Sequence, residues 1–164
     1  MTSQELARWL PDLACILMCG IAAVHDLRTY QIPNWLCAAG VVVGLAVNAA
    51  FGHVLPALAG GGVLLLAAGP LGGLRLFGMG DVKLLVAVGT LVRWPLAPRV
   101  LLYMALAGGV VALVLSLRRR ALPRVARGAW TSPPPSHRMP YGLAIALGVL
   151  WAIASRDLPW LRMI

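Results

Sequence analysis

The sequence predicts an all-α integral membrane protein, a bundle of about six transmembrane helices. Two observations carry the expectation: 60% of the 164 residues are hydrophobic while only 12% are charged, and the mean hydropathy is +0.85. A soluble domain carries roughly a quarter charged residues, so an ordinary soluble fold is excluded. A third observation is the spacing of the apolar residues. They fall into stretches of near-spanning length, without the alternation a β-barrel needs, and an open sheet could not satisfy its edges in lipid.

Six stretches can be marked: Leu10 to Val24, Trp35 to Phe51, Leu55 to Leu74, Val82 to Val92, Ala97 to Leu117 and Tyr141 to Ser155. A crossing takes roughly 20 residues, which leaves little chain for anything else, so residues 1–164 read as a single transmembrane domain. The fourth stretch is short, and reaches spanning length only if Gly78 to Asp81 and Trp94 lie at membrane depth or its interface. Gly60, Gly61, Gly62, Gly72, Gly73, Gly108 and Gly109 are expected to let helices approach closely, because packing replaces the hydrophobic drive in lipid. The connection over residues 118–139 opens with Arg118, Arg119 and Arg120, contains Pro133, Pro134 and Pro135, and reads as a flexible basic loop at the head groups.

Fourteen Lys and Arg against five Asp and Glu give a net charge of +9. In a membrane chain this excess reports orientation, and no nucleic-acid partner is expected. Alternate connections hold nine basic residues on one side, including Arg28, Arg75, Lys83 and Arg138, and five on the other: Arg8, Arg93, Arg99, Arg156 and Arg162. The positive-inside rule makes the nine-residue side cytoplasmic and both termini non-cytoplasmic. Cys15, Cys19 and Cys37 lie in apolar stretches without a Cys-x-x-Cys pair, so they read as small buried hydrophobes. His25, His53 and His137 are scattered, and no metal or other cofactor is expected.

Two carboxylates fall on the inferred cytoplasmic side, Asp26 after the first stretch and Asp81 at the start of the fourth. The chain crosses twice between them and returns, so both reach the same face in either orientation. An ionised Asp at a helix centre costs roughly 2.5 to 3.5 kcal/mol, which makes acids at membrane depth functional candidates. Two carboxyls at close range resist double ionisation, so one can activate water while its protonated partner polarises a carbonyl. Gly78 and Gly80 before Asp81 leave room for a substrate backbone. Pro33 suits the first turn of the second helix and Asn34 could bond nearby backbone. Lys83 lies about 200° around a helix from Asp81, away from that acid, where snorkelling to head groups is the simplest role. Pro140 and Gly142 would most simply start the sixth helix, and a glycine there could let that helix approach the two acids.

The stretches His25-Asp26-Leu27-Arg28, Ile32-Pro33-Asn34, Gly78-Met79-Gly80-Asp81-Val82-Lys83-Leu84 and Pro140-Tyr141-Gly142, in this order, resemble the prepilin peptidase family. These are aspartic proteases of bacterial type IV pilus and type II secretion systems, and the short peptidase-only members serving Flp-type (tight-adherence) pili are the most similar. The resemblance implies that Asp26 and Asp81 are the catalytic pair. It also implies a prepilin or pseudopilin substrate, whose basic leader is cut at the cytoplasmic face of the bacterial inner membrane, with other pilus assembly proteins as further partners. Larger members carry paired cysteines that hold zinc and also methylate the new amino terminus. This sequence has no such pair, and methyl transfer is not expected. The competing reading is a transporter or channel that relays a proton or cation through Asp26 and Asp81.

Overall fold

A computed structural model describes residues 2–29, 31–74, 78–118 and 141–157. Among them are six helices: α1 (Ser3–Thr29), α2 (Asn34–Ala50), α3 (Val54–Gly73), α4 (Met79–Val92), α5 (Leu96–Arg118) and α6 (Tyr141–Ala154), followed by a short 3₁₀ turn at Ser155–Asp157. Five of the six begin within three residues of the apolar stretches, and α1 begins earlier. Its start is set by a capping box, in which the Glu5 amide donates to the Thr2 hydroxyl at 3.3 Å and the Thr2 amide donates to the Glu5 carboxylate at 2.8 Å. A hydropathy reading passes over this polar first turn. Two helices, α1 and α3, are long and apolar enough to cross a membrane, while α2, residues Leu96–Val111 of α5 and Gly142–Ala154 of α6 are shorter apolar helices. Residues 119–140, and with them most of the basic loop and Pro140, lie outside the described residues.

The packing inverts the usual order of a soluble helix. On α1, the large apolar residues Leu6, Leu10, Leu13, Leu17, Ile21 and Val24 are exposed at three- and four-residue spacing. The opposite face buries Asp12, Cys15, Cys19, Ala22 and Asp26. In water this would expose a long apolar stripe and bury two acids, whereas in lipid the stripe faces the solvent it prefers and small residues mediate the packing. All three cysteines are buried.

The short α4 is the centre. It contacts each of the other five helices, and its residues from Val82 to Val92 are buried except Lys83 and Val86. Its closest neighbour is α3, where a Cβ on Gly89 would stand 2.5 Å from the Gly60 carbonyl oxygen and 2.9 Å from the Gly61 Cα. Only bare backbone fits that crossing. Gly60, Gly61 and Gly72 therefore pack as the sequence predicts, but Gly62, Gly73 and Gly109 have open space and Gly108 meets only an ordinary contact. Gly40, Gly44, Gly89 and Gly148 take further tight positions. Buried Asn48 adds a polar tie, its amide nitrogen donating to the carbonyl oxygens of Gly44 at 2.8 Å and Thr90 at 2.9 Å.

Candidate active site

Asp26 lies in the last turn of α1 and Asp81 in the first turn of α4, 6% and 8% exposed. Both are thus at the same end of the bundle. The third element is the start of α6. The Gly142 amide, one of the four N–H groups an α-helix leaves without an internal partner, donates to Asp26 Oδ2 at 2.9 Å in a buried contact. A Cβ on Gly142 would lie 2.9 Å from that oxygen and 3.0 Å from the Asp26 Cβ. Bare backbone at Gly142 is what lets α6 reach the acid.

Asp81 is placed by the turn that starts α4. Gly78 is the extended residue before the helix, at φ −64° and ψ 137°, and its carbonyl accepts the Asp81 amide at 3.0 Å. The carboxylate folds back over Gly78, where a Cβ would stand 2.7 Å from Asp81 Oδ2. Gly80 faces Ile32 of the α1–α2 connection, whose Cβ would be 3.4 Å from a Cβ at position 80, an ordinary contact.

That connection is stapled at both ends. His25 Nδ1 lies 2.8 Å from the Gln31 carbonyl oxygen and 2.8 Å from the Thr29 hydroxyl, which donates to the His25 carbonyl at 2.9 Å. Pro33 stands just before α2 rather than in its first turn, extended at φ −65° and ψ 131°, and its carbonyl accepts the Leu36 amide at 3.1 Å. Asn34 bonds a side chain instead of backbone: the Lys83 ammonium donates to its Oδ1 at 2.9 Å. Lys83 is thereby turned away from Asp81, as its position around the helix predicts, but toward Asn34. Arg28 is exposed on the last turn of α1. Beside the Asp81 turn, between α2 and α4, is a groove of about 610 Å³ with Val41, Met79, Val82 and Val86 in its wall and Asn34 and Lys83 at its polar part.

Among the described residues, no three His, Cys, Asp or Glu side chains come together in a way that could hold a metal ion. What the arrangement offers is a pair of carboxyls, shielded from bulk solvent, at the junction of three helix ends. Such a pair can exchange one proton between water and a polarised carbonyl.

No solved structure matches the chain. The prepilin leader peptidase/N-methyltransferase of Escherichia coli (strain K12) is 35% identical over 121 residues, covering 66% of this chain and 52% of its own length. The chain thus spans about half the length of that curated relative. A family model described as the Type IV leader peptidase family matches residues 13–113, a stretch that carries both Asp26 and Asp81. Since that match takes in more than half of the sequence, the chain belongs to the Type IV leader peptidase family.

Proposed function

We propose that the chain is a membrane aspartic endopeptidase. It removes the basic leader of prepilins or pseudopilins at the cytoplasmic face of the bacterial inner membrane, in type IV (Flp-type) pilus assembly or type II secretion. The observation that carries this reading is the buried Asp26 and Asp81 at one end of the bundle, inside the stretch that the family model matches. In the reaction, one carboxylate takes a proton from water as it attacks the scissile carbonyl. The other, protonated, donates to the carbonyl oxygen, and the tetrahedral species collapses with proton transfer to the leaving amine. No covalent intermediate and no cofactor is required. The groove between α2 and α4, mostly apolar beside the Asp81 turn, suits the apolar helix that follows a prepilin leader.

The test is cleavage by the purified full chain in lipid nanodiscs. A synthetic segment with a short basic leader and the first apolar residues of a pilin should be cut once, at the leader boundary, as read by mass spectrometry. An intact segment, with the chain folded and both acids present, would overturn the reading.

The proposed topology has six crossings, with α1 ending and α4 beginning on the cytoplasmic side. Cysteines at the exposed positions Gln31 and Leu74 should therefore react with an impermeant thiol reagent only after the membrane is opened from the cytoplasmic side. One at Ala50 should react from outside. Cys15, Cys19 and Cys37 are buried and should stay unlabelled, so the native chain provides the background. Labelling of positions 31 and 50 from the same side would break the topology.

A further inference from the structure

The end of the bundle away from Asp26 and Asp81 carries a second concentration of charge. Asp12 and Asp26 share the buried face of α1, and at 1.5 Å per residue they are about 21 Å apart along the axis. Around the Asp12 end lies a cavity of about 490 Å³, whose wall includes Arg8, His53, Arg93, Trp94, Arg99 and Arg156. These residues come from the start of α1, the α2–α3 turn, the α4–α5 turn, the first turn of α5 and the carboxy-terminal 3₁₀ turn. Four guanidinium groups from four parts of the chain thus meet at one hollow.

Asp12 takes Arg156 in a two-pronged pair, Nη1 donating to Oδ2 at 2.8 Å and Nη2 to Oδ1 at 2.9 Å. Arg93 donates to a backbone carbonyl, that of Ala7, at 3.3 Å. Burial first, and the neighbouring Arg156 charge second, push the Arg93 guanidinium below arginine's usual range, against the opposing pull of Asp12. Arg93 is moreover fixed at φ 64°, a region few non-glycine residues occupy. The turn that holds it there is tied down by the Arg93 amide donating to Gly89 at 3.0 Å and the Trp94 amide donating to Pro56 at 2.9 Å.

Guanidinium forks match phosphate oxygens in pairs, more closely than an ammonium does. The volume is within the range of small-ligand sites, and Trp94, 51% exposed, is an aromatic of the kind that sits at head-group depth. We propose that this cavity binds a phosphate-bearing anion of about the size of a glycerophosphate group, held by Arg93 and Arg99 with Arg8 and Arg156. The site is separate from the carboxylate pair and independent of the peptidase reading. Binding clamps the ends of α1, α4, α5 and the carboxy-terminal turn together, so it should appear as stabilisation.

The experiment uses the full chain in a neutral detergent. Thermal unfolding is followed for the native protein, Arg99→Gln, Arg93→Gln/Arg99→Gln and Arg28→Gln, with added phosphatidylglycerol, phosphatidylcholine or glycerol 3-phosphate. Phosphatidylglycerol should raise the native midpoint more than phosphatidylcholine does. Arg99→Gln should lose at least half of that gain, the double variant nearly all of it, and Arg28→Gln, at the other end, none. A gain from glycerol 3-phosphate as well assigns a soluble source, and a gain from phosphatidylglycerol alone assigns the lipid headgroup. Equal gains from the two lipids, no gain from any probe, or an undiminished gain in Arg99→Gln would overturn the site. Because Arg99→Gln leaves the Asp12–Arg156 pair and the Arg93 turn intact, it decides the question even if the double variant does not fold.

Discussion

Asp26→Asn and Asp81→Asn are each expected to reduce leader removal by about 100-fold or more, the scale on which a positioned acid or base contributes to a reaction. The geometry makes these substitutions clean. An asparagine at position 26 keeps an oxygen that can accept the Gly142 amide, a bond now made at 2.9 Å, so the α1–α6 junction should survive. At position 81 the side chain folds over a residue without a Cβ, and the amide is no larger than the acid. What each variant would lose, in the proposed mechanism, is the shared proton. The double variant should then be hardly worse than either single one, since groups that act as a unit are not additive. The control is Asp12→Asn. That acid is equally buried on the same face of α1, but it is paired with Arg156, and its loss should lower stability while leaving cleavage per folded molecule intact. Measuring the ratio of leader-bearing to mature pilin at matched levels of each variant tests all four. Either Asn variant retaining most of its activity would remove the dyad.

Much of this architecture is legible in the sequence because lipid imposes a simple rule. Stretches of large apolar residues become helices, and Trp35 to Phe51 and Leu55 to Leu74 fall within one residue of α2 and α3. The early start of α1 escapes a hydropathy reading, although Thr2 and Glu5 at capping-box spacing announce it. Asp12 could also have been read: Asp12, Cys15, Cys19, Ala22 and Asp26 recur at three- and four-residue steps and form one face of small and acidic residues. What the sequence does not hold is which helix meets which. Gly62 and Gly89 are alike as letters, and only the α3–α4 crossing makes one free and the other indispensable. Lys83 and Asn34 are 49 positions apart, and their bond follows from the α1–α2 connection lying on the Asp81 turn. Gly142 is the clearest case: a glycine opening the sixth helix allows that helix to approach the acids, but only the fold brings its amide to Asp26 rather than Asp81.

Gly142 therefore supports the second large effect. Valine there should reduce leader removal by about 30-fold or more while the protein still folds. The argument turns on which atoms would yield. The Cβ of a new side chain would lie 2.9 Å from Asp26 Oδ2, 3.0 Å from its Cβ and 3.3 Å from its Cγ, so the three nearest atoms all belong to the Asp26 side chain. The carboxylate can swing away at the cost of a rotamer and the Cβ contact needs only a few tenths of an ångström of give, whereas at Gly148 a Cβ would meet the Met104 amide nitrogen at 2.6 Å and its Cα at 2.7 Å, backbone that must move as a whole. Gly142→Val should thus displace the acid and break its bond to the amide, and Gly148→Val should instead separate α5 from α6 and lower the yield of folded protein. Gly108→Ala meets only the Ala144 Cβ at 3.7 Å and should behave as the native chain. The three outcomes are read from one pair of measurements, the folded fraction by size exclusion in detergent and the mature fraction of a co-expressed pilin. Normal processing by a folded Gly142→Val would mean that the position of Asp26 against the start of α6 does not matter to the reaction.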